Sequence, residues 1–423
     1  MKFKDRWKIL VLFLLLTMFY FEIPPFNEVH EYPACTDPPD KLINITLADN
    51  QTVQSTKYNL MFLKTHKTGT STLVNVFYLY GIRRKLNFVL KPYNHWLGEI
   101  SEDIRVKNLL QPRPGGCWNL QVGHGLFNSE GEHLVLPKNT SFYTTIVREP
   151  VSQFQSAFYY FGEQRRQANK HGKNLPQSTL MIKYLEGKRV LPTDVNSPAT
   201  DMGWKRFSEQ FKSTVSLEEK MTAFINYLDE EFDFIMISER LDESLVILKE
   251  YMGWELRDIL YLNRNVVSKF TKDKIPEETR EKILNHLQLD RMIFEHVTKS
   301  FERHIDRLGR ERISEEVRKF RVLREEFENK CIDKGSRMQL KEWRSWGYPL
   351  TKYGKSENYA CSFLQTNDMI LDHAVTQLQL SHDYVAPVRG RATFDLQGVI
   401  MKLQYEHEMR YIRDLEAELR GDK

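Results

Sequence analysis

The stretch LKTHKTGTSTL, residues 63–73, stands between the apolar run YNLMF and the segment VNVFYLYG, and its reading decides the fold. From Lys64 to Thr72 nine residues carry no large apolar group; two are lysines and five bear hydroxyls. YNLMFLK has the length and apolar content of a buried strand, and STLVNVFYLYGIRRKL has helical spacing. A turn that leaves a buried parallel strand and opens a helix points successive backbone N–H groups at one spot. With the helix dipole behind it, that spot attracts anions. Gly69 lets the backbone come close, Lys67 supplies a point charge, and Thr70, Ser71 and Thr72 add hydroxyl donors. The plainer alternative is an ordinary helix start capped by threonines. The nucleotide-kinase pattern G-x-x-x-x-G-K-[ST] does not fit, because there is one glycine and the lysine precedes it.

Two further units repeat the strand–loop–helix order. In FYTTIVREPVSQFQSAFYYFG the strand is Phe142 to Val147, and Pro150 stands where a first helical turn tolerates proline. In FDFIMISERLDESLVILKEYMGW the strand is Phe234 to Ile237, with a helix from about Asp242. Three such units predict an α/β fold, a P-loop-like parallel sheet flanked by helices. From Pro276 onward the chain reads as helical and highly charged. ISEEVRKFRVLREEFENK and VIMKLQYEHEMRYIRDLEAELR are expected as solvated helices packed on the sheet.

The 423 residues, 41% of them hydrophobic, suffice for a large core. A formal charge of +4, from 61 basic and 57 acidic residues, gives no footprint for nucleic acid, so any basic site is local. Lys2, Lys4, Arg6 and Lys8 precede an apolar run from Ile9 to Phe21, which Trp7 and Ile23 extend. FEIPPF offers no small-residue cleavage pattern, so the expectation is an uncleaved signal-anchor helix, with a cleaved signal peptide as the alternative. The basic flank then keeps residues 1–8 cytosolic, with a span over 9–23. Its shortness suits a thin early-secretory or Golgi membrane. Residues 24–56, rich in proline and polar residues, read as a lumenal stem, and 57–423 as the lumenal body. Sequons at Asn44, Asn50 and Asn139 agree with a lumenal face. Cys35, Cys117, Cys331 and Cys361 match no metal site, and of their possible pairings Cys331 with Cys361 is preferred.

LKTHKTGTSTLVN resembles the 5′-phosphosulfate loop of Golgi carbohydrate sulfotransferases, most closely that of the galactose-3-O-sulfotransferase family. The likeness extends to CWNLQVGHGLF, TTIVREPVSQFQSAFYYFG, ERLDESLVILKEYMGWELRDILYLNRN and CIDKG, over roughly residues 58 to 365. It implies transfer of sulfate from 3′-phosphoadenylyl sulfate, without a metal, to the 3-hydroxyl of a terminal β-galactose on a glycolipid or glycoprotein. A sulfuryl group carries less charge than a phosphoryl group, so lysine and N–H donors can serve it. By the resemblance, Lys67, Thr68, Gly69, Thr70, Ser71 and Thr72 hold the 5′-phosphosulfate. Arg148 and Ser156 match the family's 3′-phosphate motif; an arginine there can fork onto phosphate oxygens. Lys67 would also neutralise the bridging oxygen in an in-line displacement.

The attacking hydroxyl needs a base, and histidine suits neutral pH. His124, in QVGHGLF, aligns with a histidine shared by the family and is the expected base. His66, inside the loop, is its rival. Where the family has asparagine before this histidine and a basic residue after it, this chain has Gly123 and Gly125. NSPATDMGWKRF, residues 196–207, is the nearest candidate for the acceptor segment, with Trp204 able to stack on a sugar. Lys352, Tyr353 and Lys355 are candidates to close over the nucleotide. Two other readings stay open: a Golgi glycosyltransferase, though no Asp-x-Asp occurs in the chain, and a non-catalytic lumenal glycan-binding protein on a degenerate sulfotransferase fold.

Overall fold

The computed structural model describes residues 42–91, 96–99, 109–112, 116–187, 196–262, 275–333, 338–340, 345–347, 359–366, 371–372, 374–376 and 379. The expected anchor helix, the helix over VIMKLQYEHEMRYIRDLEAELR, and Lys352, Tyr353 and Lys355 lie outside the described residues. Among those described, no helix is long and apolar enough to cross a membrane.

The described residues open with a hairpin, β1 (Ile43–Thr46) against β2 (Thr52–Ser55), antiparallel. Ile45 is buried and the hairpin packs on a later helix, so this part of the segment expected as a stem belongs to the body. Next come β3 (Asn59–Leu63) and α1 (Thr70–Arg83), then short strands β4 (Trp96–Glu99), β5 (Leu120–Gln121) and β6 (His124–Leu126). Helix α2 (Ser129–Val135) leads to β7 (Ser141–Val147), followed by α3 (Pro150–Tyr160), α4 (Glu163–His171) and α5 (Gln177–Leu185). Short helices α6 (Ser197–Asp201) and α7 (Trp204–Glu209) precede α8 (Leu217–Glu231), β8 (Phe234–Ile237) and α9 (Leu241–Met252). Further helices among the described residues are α10 (Glu277–His286), α11 (Gln288–Leu308), α12 (Arg310–Cys331) and α13 (Tyr359–Gln365).

The central sheet runs β5-β3-β7-β8, and every pairing in it is parallel. All residues of β3 and β7 are buried, as strands covered on both faces must be, which is why they read as apolar runs without alternation. The polar members of β7 are satisfied laterally: Thr144 donates to the Phe234 carbonyl at 2.7 Å and Thr145 to that of Leu63 at 2.9 Å. Chain order places β5 on one side of β3 and β7 on the other, so the connections diverge at β3–β7. At such a switch point the carboxyl ends of the strands leave a crevice for ligands. Helix α12 is solvated on its outer face as expected, but it packs on α9 and α11 rather than on the sheet, through Ile313, Val317 and Phe320. The preferred disulfide, Cys331–Cys361, is present and joins the end of α12 to α13.

Candidate active site

The turn after β3 is drawn tight by its own hydroxyls. Thr65 Oγ1 donates to the Ile146 carbonyl at 2.6 Å and lies 2.8 Å from Thr68 Oγ1; Thr70 Oγ1 donates back to the Thr65 carbonyl at 3.1 Å. Two residues take the left-handed region, Lys67 at φ 61° and Gly69 at φ 88°. For glycine this is cheap, whereas for lysine it costs of order 1 kcal/mol and is typical of functional turns. Gly69 is the N-cap of α1 without a side-chain cap, and no acidic residue occupies the first turn, so the positive end of the helix is not neutralised locally.

Helix α3 supplies the opposite wall. Glu149 caps it, accepting from Val151 N at 3.1 Å and Ser152 N at 2.8 Å, with Pro150 in the first turn. Gln153, Ser156 and Tyr160 follow at helical spacing on one face. Gln153 Nε2 donates to the His66 carbonyl at 3.0 Å, and Lys67 Nζ lies 3.6 Å from the centre of the Tyr160 ring. By helical spacing Ser156 falls between these two residues along the same face. The other face carries Phe154 and Phe158 into a satellite core with α5 and α10. A cavity of about 350 Å³ opens beside Gln155, Pro176 and Ile275. Gln155 is roughly opposite Gln153 around the helix, so this cavity is not the space above the loop.

Arg148 leaves the carboxyl end of β7 and its Nη1 donates to the Lys67 carbonyl at 3.2 Å. Its acidic neighbour is Glu239, at 3.8 Å, just after β8. Burial draws Arg148 below its usual value, against the pull of Glu239 and Glu149, and burial pushes Glu239 up. A partly desolvated guanidinium of this kind favours an added anion.

The two candidate histidines meet. The rings of His66 and His124 stack, with centroids 4.6 Å apart and planes inclined by 26°. His124 opens β6, which pairs in parallel with β4, and Gly125 is required by that pairing: a Cβ there would lie 2.8 Å from the Gly98 carbonyl oxygen. The departure from a basic residue at this position therefore has a steric reason. Asp201, at the end of α6, takes the other side of His66. Its Oδ2 accepts the His66 backbone N–H at 2.7 Å, and both oxygens lie 2.9 Å from Nδ1. Burial raises the Asp201 carboxyl, and hydrogen bonding from His66 pulls it back.

The structure thus brings together Lys67, Thr68, Gly69, Thr70, His66, His124 and Arg148. Ser71 and Thr72 lie in the first turn of α1, half-buried. Trp204 is half-buried and packs edge-on against Phe224, with ring centroids 5.3 Å apart. In that same segment the contact with His66 belongs to Asp201, whose only sequence signal was its place in NSPATDMGWKRF. Among the described residues no group of three histidine, cysteine or acidic side chains is arranged to hold a metal ion.

The chain is similar to human galactosylceramide sulfotransferase, 27% identical over 340 residues that cover 76% of this chain and 77% of the relative. It is 29% identical to the bovine galactosylceramide sulfotransferase over 286 residues, covering 66% and 64%. Human galactose-3-O-sulfotransferase 2 is 27% identical over 295 residues, covering 66% and 70%. The family profile described as Galactose-3-O-sulfotransferase matches residues 2–343. A match over most of the chain, including the loop, Arg148 and both histidines, makes this protein a member of the galactose-3-O-sulfotransferase family.

Proposed function

We propose that this enzyme transfers a sulfuryl group from 3′-phosphoadenylyl sulfate to the 3-hydroxyl of a terminal β-galactose on a glycolipid or glycoprotein. The observation that carries the reading is the meeting of Lys67, Arg148 and the stacked His66–His124 pair around one strand-to-helix turn. In this reading the loop from Lys67 to Thr72 holds the 5′-phosphosulfate, with its N–H groups and hydroxyls at the positive end of α1. Arg148 and Ser156 receive the 3′-phosphate. The acceptor oxygen attacks sulfur, the bond from sulfur to the bridging oxygen breaks, and Lys67 neutralises the charge left on the leaving phosphate.

The acceptor proton goes to the histidine pair. The sequence reading gives that role to His124. The carboxylate at His66 Nδ1 favours His66, because it leaves Nε2 as the lone-pair nitrogen and stabilises the cation formed there. A type II Golgi membrane protein with a lumenal body is the setting that the basic N-terminal flank supports. Asn44, Asn50 and Asn139 are all exposed, as glycan acceptors would be. The test is incubation of the purified chain with labelled donor and a panel of β-galactosides. Label is expected on the galactose 3-hydroxyl, with lipid-linked and glycoprotein-type acceptors distinguishing the two substrate classes. Donor binding without transfer to any of them would instead mark a glycan-binding protein.

A further inference from the structure

We infer that Asp201 is a positioning residue of the transfer site, fixing the orientation and tautomer of His66 with its side chain and tethering the strand of His124 with its main chain. The inference rests on the sulfotransferase reading above. Two nitrogens of His66, the backbone N–H and Nδ1, converge on one buried carboxyl group. In its ionised form this carboxylate can only accept, and the neutral ring beside it then carries its proton on Nδ1 and presents a lone pair at Nε2. The Asp201 carbonyl oxygen accepts the Phe127 N–H at 2.8 Å, three residues beyond His124. One residue therefore holds both members of the stack, from opposite ends of its own structure.

The support behind Asp201 is itself built. Asp290 of α11 accepts the Ala199 N–H at 3.0 Å, and its own N–H donates to Asn196 Oδ1 at 3.1 Å, so α6 is pinned at its start. The ionisable groups that face Asp201 are His66 from the loop and Asp290 from α11, with His124 across the His66 ring. None of these contacts is local: His66 and Asp201 are 135 residues apart in the chain. A carboxylate serving only as packing would have no need to meet both the backbone N–H and the Nδ1 of one histidine. Asp201 meets the donor loop at His66, through the backbone N–H and the imidazole together.

The experiment has two parts on the purified full-length chain. In wild type, ¹⁵N spectra of histidine-labelled protein, with His66 assigned by its loss in His66→Gln, should show the neutral His66 ring protonated at Nδ1. A ring protonated at Nε2 overturns the inference, whether or not any variant folds. In Asp201→Asn, kcat should fall roughly 10²-fold or more while the donor Kd changes less than about threefold. The acidic limb of the rate profile should move to lower pH, because the charge that stabilised the imidazolium is gone. Adding His66→Ala to Asp201→Asn should cost little beyond either change alone. Normal kcat, an unmoved acidic limb or fully additive losses in Asp201→Asn would each overturn it. Absence of transfer activity in wild type would overturn the sulfotransferase reading instead, while the tautomer measurement would still stand.

Discussion

Lys67 and Arg148 present the same charge to different parts of a nucleotide, and their surroundings separate them. Lys67 stands in a left-handed turn with its ammonium over Tyr160, a compact charge at the loop itself. Arg148 is tied to the Lys67 carbonyl and to Glu239, with its planar fork directed from the end of β7. Lys67→Ala and Arg148→Ala should each weaken donor affinity roughly 10- to 150-fold, the equivalent of a charge-assisted contact. Only Arg148→Ala should also reduce the preference for the 3′-phosphorylated nucleotide over its 3′-hydroxyl analogue. Calorimetry with the two nucleotides checks this, and equal preference in wild type and variant would place the 3′-phosphate elsewhere. These two cations were legible in the sequence because each stands at a strand end beside turn residues. Asp201 was not: its partner is 135 positions away, and nothing in a five-residue helix signals which way a carboxylate turns. Glu239 was missed for the same reason, whereas Glu149, nearer in sequence, turns back to cap its own helix.

At the scale of elements, α3 shows how one helix can serve the site and the core at once. Its loop-facing stripe and its satellite-core stripe are held in register by the Glu149 cap, which Arg280 of α10 clamps at 2.7 Å. Glu149→Ala should cost about 1–2 kcal/mol of stability, seen as a lower denaturation midpoint. It should also loosen donor binding, although Glu149 is placed to touch no donor atom, because Gln153, Ser156 and Tyr160 move with the first turn. Undiminished donor affinity in a destabilised variant would separate the cap from the site. The strands β3, β7 and β8 and the starts of α1 and α9 were readable because buried parallel strands are continuous apolar runs. Strand β5 was not, since Leu120–Gln121 is too short to show any period. The hairpin Ile43–Ser55 was hidden in polar composition, with Ile45 the one residue of β1 that is buried.

Across the whole molecule, buried carboxylates set the response to pH. Burial pushes Glu132 up to about 7, Asp372 to about 7 and Asp290 to about 8. A carboxyl whose folded value is raised binds its proton more tightly when folded, so its contribution falls as pH rises from its unfolded value through the folded one. His304 opposes them: burial lowers it to about 4, so stability is lost as pH drops below its ordinary value of 6.5. Three groups outweigh one, and above pH 6.5 His304 contributes little. The thermal midpoint should therefore be higher at pH 6.5 than at pH 8, and Glu132→Gln should flatten part of that difference. A midpoint that rises toward pH 8 would contradict these burials. The C-terminal docking carries a consequence of another kind. Asn75, fully buried in α1, donates to the carbonyls of Leu364 and Thr366, 289 and 291 residues later in the chain. At ribosomal rates of about 5–20 residues per second, those partners emerge roughly a quarter of a minute to a minute after Asn75 itself. The helix that begins at the donor loop is thus among the first parts of the body to be synthesised, and its Asn75 waits for these two carbonyls until the Leu364–Thr366 segment has been made.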